Sequence, residues 1–150
     1  MSGTPAGGAP GSILFVCGQN SIRSPMAEAI ARAVLPGTYV ASAGVKGGER
    51  DPFVDVVLAE EGLTLGDRRP QTVEDLADGY FDLVVTLSPE AHHAVMDATG
   101  ADATAVEFWP MPDPSAVNGS RDQILDAYRD LYRRMRRRLT EFGERRRPPV

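Results

Sequence analysis

Short apolar runs alternate along this chain with segments of helical periodicity. Ile13-Leu14-Phe15-Val16 is a continuous apolar run, the signature of a strand buried on both faces. Met26, Ala29, Ile30, Ala33 and Val34 then recur at helical spacing, with Ser24 in place for an N-cap and Pro25 for the first helical position. Tyr39-Val40-Ala41 predicts a second strand, closed by Ser42-Ala43-Gly44. Pro52 opens a helix that turns Phe53, Val56, Val57 and Leu58 to the core and stops at Gly62, and Thr72–Asp75 has the form of a capping box for a brief helix. Phe81–Leu87 (FDLVVTL), rich in β-branched residues, is the strongest strand signal. Ser88-Pro89-Glu90 caps the next helix, which Gly100 ends. Ala105–Trp109 is a fourth strand, and the prolines of the following loop, WPMPDPSAVNGS, speak against helix or ladder there. Ser120 and Gln123 form a capping box for a last helix with Ile124, Tyr128, Leu131, Met135, Leu139 and Phe142 on one stripe.

Four strands alternating with helices predict an α/β fold: a four-stranded parallel sheet flanked by helices on both faces. Ligands of such sheets lie outside the carboxyl ends of the strands. Cys17, Ser42, Ser88 and the 110–119 loop fall at those ends. A single domain over residues 12–143 suits a chain of 150 residues. Residues 1–11, rich in Gly, Pro and Ser, read as a flexible tail without the basic and apolar regions of a signal peptide, and 144–150 as a basic, Pro-containing tail.

Charge alters this picture in one respect. Residues 1–120 carry six basic and sixteen acidic side chains, net −10, whereas residues 121–147 carry ten arginines and five acids, net +5. The basic end reads as a solvated helix face with i,i+4 pairs, and the acidic remainder argues against a nucleic-acid partner. No apolar run approaches the roughly 20 residues that span a bilayer, so no membrane partner is expected. The single cysteine excludes an intrachain disulfide, and the whole favours a cytoplasmic protein.

That cysteine carries the candidate chemistry. In CGQNSIRSP, Cys17 ends the first strand, and Arg23 lies at the start of the first helix. A loop of this kind turns the amides of Gly18, Gln19, Asn20, Ser21 and Ile22 toward one point, and the helix N-terminus adds unpaired donors and positive potential. The result is an oxyanion nest in which Arg23 can grip two oxygens of the same anion. Cys17 at its base would be held as a thiolate, the nucleophile for phosphoryl transfer through a thiophosphate. A bare C-x5-R spacing is a weak signal; the strand before it and the Ser-Pro and amphipathic helix after it give it weight.

The stretch ILFVCGQNSIRSPMAEA resembles the nucleophile loop of the low-molecular-weight protein tyrosine phosphatases, V-C-x-G-N-x-x-R-S-P-x-A-E-A. The likeness continues in order through Ser42-Ala43-Gly44, the FDLVVTL strand and Asp113-Pro114, and VVTLSPEA and EFWPMPDPSAVNGS resemble the related thioredoxin-coupled arsenate reductases. The resemblance implies a phosphotyrosine-phosphatase-I-like fold with Cys17 as nucleophile and Arg23 as the clamp on the phosphate oxygens. It also implies that Ser24 hydrogen-bonds the thiolate, that Asn20, with support from Ser42, holds the loop in an uncommon backbone shape, and that Asp113 is the general acid. From the residues alone, Asp113-Pro114 reads as an ordinary turn. A phosphoester hydrolase needs a proton donor opposite its nucleophile, however, and Asp51, Asp67 and Glu107 lie at less suitable places than the loop after the fourth strand. The implied substrates are phosphotyrosyl proteins or small aryl phosphates, with no metal and no cofactor.

Four positions depart from the family's pattern. Ile22 stands where a second cysteine is common, and Gln19 where glycine is usual, putting a bulkier residue near the pocket floor. Ser115-Ala116-Val117 replaces the tyrosines that wall an aromatic slot. Arg68 replaces a histidine and is expected to add positive charge near the mouth. The relay cysteines of the arsenate reductases correspond to Ser88 and Val95, so a three-cysteine relay is impossible, while reduction with external glutathione needs only Cys17. A non-catalytic oxyanion-binding module is the third reading. His92 and His93 have no ligand-spaced partner and read as surface or packed residues. Trp109 suits the pocket mouth and the core equally, and Tyr128 and Tyr132 suit core or rim.

Overall fold

The computed structural model describes residues 10–76, 79–99 and 105–145. Strands β1 (Ser12–Cys17), β2 (Tyr39–Gly44), β3 (Leu83–Thr86) and β4 (Ala105–Phe108) alternate with helices α1 (Arg23–Val34), α2 (Pro52–Glu60), α3 (Pro89–Thr99) and α4 (Arg121–Arg145). Single 3₁₀ turns form at Glu74–Leu76 and Pro114–Ala116. All strand pairs are parallel, in the order β2-β1-β3-β4. β1 therefore lies inside the sheet, with Phe15 level with Ser42 on one side and Val85 on the other. Its uninterrupted apolar run follows from burial on both faces. Ile13, Phe15 and Cys17 face the larger core, where Met26 and Ile30 of α1, Val54, Val57 and Leu58 of α2, and Leu131, Met135 and Leu139 of α4 are buried. Leu14 and Val16 face the smaller core, with Ala91 and Val95 of α3. Helices thus cover both faces, as the alternation predicted.

The stop and start signals work mostly as read. Gly62 has φ +75°, and its amide and that of Leu63 bond back to Ala59 and Leu58 to end α2. Thr72 and Asp75 bond reciprocally, as do Ser120 and Gln123, and Ser88 Oγ accepts from the Ala91 amide at the start of α3. The stripe on α4 is buried from Tyr128 to Phe142, with Ile124 partly buried at its start.

Several boundaries move for identifiable reasons. α1 begins at Arg23 after Ile22, with no side-chain cap, so Ser24 lies inside the helix and its hydroxyl serves another partner. β3 is shorter than Phe81–Leu87, because Asp82 accepts from the amides of Gly11 and Ser12 instead of extending the ladder. Phe53 and Val56 only partly pack on the core, while Val54 is fully buried. The proline-rich loop does contain one helical turn, because Pro114 takes a first-turn position with Asp113 as its cap. α4 continues through Arg145. Residues 1–9 and 146–150 of the two expected tails, and the Gly100 stop, lie outside the described residues. Among the described residues no helix is long and apolar enough to cross a membrane.

Candidate active site

β1 delivers Cys17, which is buried, to the carboxyl edge of the sheet, and the chain passes through residues 18–22 into α1. Cys17 Sγ stands 2.9 Å from Ser24 Oγ. Asn20, fully buried, takes φ +58°, a left-handed conformation that asparagine tolerates better than most residues. Its side chain shows what holds it there. Nδ2 donates to both Ser24 Oγ and Ser42 Oγ at 2.9 Å, while Oδ1 accepts from Arg68 Nη2 at 2.6 Å and the Gln71 amide at 2.9 Å. Because Ser24 Oγ accepts from Asn20, its own proton can turn either to Ala43 O at 3.4 Å or to the sulfur.

Further bonds fix Ser42. Its hydroxyl donates to Glu28 Oε1 at 2.6 Å and accepts from Arg68 Nη2 at 3.1 Å. Glu28 is buried, and Arg32 at 2.8 Å and Arg68 at 3.3 Å supply the opposing charge that a buried carboxylate requires. Burial holds the Arg68 guanidinium below its ordinary value, and Glu28 pulls in the other direction. Gly44 completes the support: a Cβ there would lie 2.5 Å from Gln19 C and 2.6 Å from Asn20 N, so only glycine lets the loop backbone approach β2 this closely.

The front of the loop is a pocket of about 240 Å³. Cys17, Gly18, Ser21, Ile22 and Arg23 line one part of it, and Asp113 and Ser115 come from the loop after β4. Among the described residues the amides of Gly18 to Ile22 donate to no protein acceptor, which suits them to an anion. Arg23 Nη1 donates to Met111 O at 3.2 Å, tying the clamp to the loop that carries Asp113. Asp113 is exposed, and its Oδ1 accepts from the Ser115 amide at 2.9 Å and hydroxyl at 2.6 Å. The chemistry available is nucleophilic attack from the base, anion binding around it, and a carboxyl group on the opposite wall. A larger cleft, about 590 Å³, lies between α2 and α4 among arginines and glutamates; it contains no nucleophile and is unconnected with this chemistry.

Of the residues singled out in the sequence, Cys17, Arg23, Asp113, Gly18, Gln19, Ser21 and Ile22 meet in one pocket, and Asn20 and Ser42 stand behind it with Ser24. Two expectations require correction. Gln19 is exposed at the rim, where the pocket joins a neighbouring groove, and does not crowd the floor. Arg68 is not at the mouth; its bonds to Asn20, Ser42 and Glu28 draw it behind the loop. Trp109 belongs to the core, tilted against Phe15 and Phe142. His92 bonds Thr86 and stacks on Phe108, and among the described residues no group of His, Cys, Asp and Glu could hold a metal. Sequence reasoning missed Glu90 in the pocket wall, having read it only as part of a helix start, and assigned no role to Glu28 or Gln71.

Comparison with known proteins places the chain in a family. The family described as low molecular weight phosphotyrosine protein phosphatase matches residues 12–145. The probable low molecular weight protein-tyrosine-phosphatase EpsP of Ralstonia solanacearum is 37% identical over 79 residues, 51% of this chain and 54% of that protein, so the chain spans about half that relative's length. The low molecular weight protein-tyrosine-phosphatase Etp of Escherichia coli K12 is 30% identical over 146 residues, 89% of this chain and 93% of that protein. The solved structure of an arsenate reductase from Archaeoglobus fulgidus superposes with a TM-score of 0.68 at 30% identity, covering 88% of this chain and 98% of that one.

Proposed function

Because the chain belongs to the low-molecular-weight phosphotyrosine protein phosphatase family, we propose that it hydrolyses phosphomonoesters, phosphotyrosine foremost, through a phosphocysteine at Cys17. The observation that carries this reading is the convergence of Cys17, Arg23 and Asp113 on one pocket, with Ser24 Oγ 2.9 Å from the sulfur. Cys17 Sγ attacks phosphorus while Arg23 and the loop amides hold the three non-bridging oxygens, whose charge they stabilise in the transition state. The bond from phosphorus to the ester oxygen breaks, and the proton of Asp113 passes to that oxygen as the alcohol leaves. Asp113, now a carboxylate, takes a proton from water; the water oxygen attacks phosphorus and the sulfur departs as thiolate. Ser24 donates its hydroxyl to that thiolate, with Asn20 orienting the serine. A nucleophilic thiol of this kind needs a reducing compartment, and we place the protein in the cytosol.

Aryl phosphate hydrolysis tests the reading: Cys17→Ser abolishes turnover, and Asp113→Ala lowers it about 10²-fold or more. Hydrolysis unaffected by either substitution overturns it. The similarity to arsenate reductases supports a second reading, arsenate reduction at the same thiol. With one cysteine in the sequence, an external thiol such as glutathione must resolve the adduct on Cys17. Arsenate-dependent glutathione oxidation without ester hydrolysis decides for that reading. Sulfate or vanadate binding with neither reaction decides for an anion-binding module.

A further inference from the structure

Glu90 is an anomaly in an anion pocket. It projects from the first turn of α3, is exposed, and lines the same wall as Cys17 and Arg23. Its carboxylate lies over the loop: a Cβ at Gly18 would be 2.9 Å from Glu90 Oε1. Among the described residues no cation or hydrogen-bond donor pairs with it. An acid in a first turn does favour the helix dipole, and that alone would account for its place in α3. It does not account for a carboxylate directed at the mouth of a site that must admit a phosphate dianion.

The neighbouring surface extends the negative potential. A groove of about 390 Å³ shares Gln19, Ser21, Ile22 and Ser115 with the pocket and continues past Glu49 and Asp51. Its one arginine, Arg50, is committed to Asp55 through two bonds of 3.0 and 2.8 Å and to the carbonyls of Gly66 and Arg68. Glu49 is exposed and, like Glu90, unpaired among the described residues. Among the described residues no aromatic side chain lines pocket or groove, so none of them offers a ring for stacking on a substrate there. What the lining does offer is two carboxylates, Glu90 and Glu49, unpaired among the described residues beside a phosphate site, and these favour a substrate that brings its own cation.

We propose that Glu90, with Glu49 in the adjoining groove, is a specificity determinant that selects phosphotyrosyl segments carrying arginine or lysine beside the phosphorylated residue. This rests on the phosphatase reading. It is tested with three phosphotyrosyl peptides differing only in flanking residues, which are arginine, alanine or glutamate. Wild-type kcat/KM favours the arginine flank over alanine by about three- to tenfold at low salt, and the preference shrinks at about 0.5 M salt. Glu90→Gln at least halves that ratio, Glu90→Lys reverses the order toward the glutamate flank, and Glu49→Gln produces a smaller loss than Glu90→Gln. On para-nitrophenyl phosphate, which carries no cation, Glu90→Gln raises kcat/KM about two- to threefold because one repulsion is removed. A purely helix-stabilising role would move thermal stability and leave the flank ratio unchanged. Equal flank ratios in wild type and Glu90→Lys, with para-nitrophenyl phosphate still hydrolysed, overturn the proposal. If wild type hydrolyses no ester, the phosphatase reading fails separately; flank selection is then read from binding of the same peptides to Cys17→Ser, and equal affinities overturn it.

Discussion

The two sides of the Cys17 loop are built on opposite plans. Behind it, Asn20, Ser42 and Glu28 are buried, and both polar atoms of the Asn20 side chain have partners. In front, Asp113, Ser115 and Glu90 are exposed, and the bonds of Asp113 run to Ser115 two residues away. A nest of amides works only if its geometry is fixed before the anion arrives, so its support is dense and redundant. Leaving-group chemistry and substrate choice need access, so the front is open and its residues can change at little structural cost. Substitutions behind the loop should therefore damage stability and catalysis together, whereas substitutions in front should separate them.

The largest effect is expected from Asn20→Ala. It leaves Ser42, Arg68 and the Gln71 amide short of a buried partner and asks alanine to hold φ +58°. Unfolding free energy should fall by about 3 kcal/mol or more, measured by denaturant titration. Aryl phosphate kcat/KM should fall by about 10²-fold or more in the protein that remains folded. A variant that loses activity but keeps wild-type stability would break the contrast between the two sides.

Asp113→Asn is the counterpart in front. Asparagine can still accept the Ser115 bonds, so stability should stay within about 0.5 kcal/mol of wild type, as for other exposed positions. Activity should fall about 10²- to 10³-fold. The leaving group supplies the sharper measurement. The loss should be smaller on para-nitrophenyl phosphate, whose leaving oxygen needs little protonation, than on phenyl phosphate. Equal losses on the two esters would assign the donor to another residue.

The same contrast explains what could be read from the sequence. Ile13–Val16, the helix stripes and the capping boxes are local patterns, and the sheet, helices and loop followed from them. The Ser24 cap was misread because a serine before a proline satisfies a local rule, whereas its actual partner is a sulfur seven positions back. Arg68 and Gln71 lie 48 and 51 residues from Asn20, and no local pattern announces such bonds. Glu90 had a sufficient local reading as a first-turn acid, and only the packing of α3 beside β1 brings it to the pocket. Asp113 was singled out by the Asp-Pro match to the family's pattern and by the need of a phosphoester hydrolase for a proton donor, since its local sequence reads only as a turn.

Arg68→Lys probes the rear side through its charged fork. Lysine keeps the positive charge near Glu28 but cannot reproduce the planar fork that reaches Asn20, Ser42 and Glu28 at once. Stability should fall by about 1–2 kcal/mol and kcat/KM by about tenfold, both read on the same preparation. Restoration of the activity by histidine at this position, but not by lysine, would mark the directional bond to Asn20 as the element that matters.

The smallest effect should come from Tyr128→Phe, which tests whether a hydrogen bond ties α4 to the start of α2. Tyr128 is buried on α4, and its hydroxyl donates to Asp51 Oδ2 at 2.8 Å, while Asp51 Oδ1 caps α2 through the Phe53 amide. Loss of the hydroxyl leaves the cap intact, so the cost at neutral pH should be about 1 kcal/mol, with aryl phosphate turnover unchanged. The alkaline side carries the sign. Burial, and then the hydrogen bond to Asp51, hold the phenol well above its ordinary value, so the folded protein binds that proton more tightly than the unfolded chain. The resulting stabilisation is complete below pH about 10, where both states are protonated, and drains away as pH climbs above the unfolded phenol's value. Phenylalanine has no proton to lose, so the variant's unfolding free energy should decline less steeply above pH 10 than that of wild type. Parallel alkaline curves for the two proteins would mean that the phenol is not held by Asp51 in solution, and that α4 is tied to the active-site end of α2 by apolar packing alone.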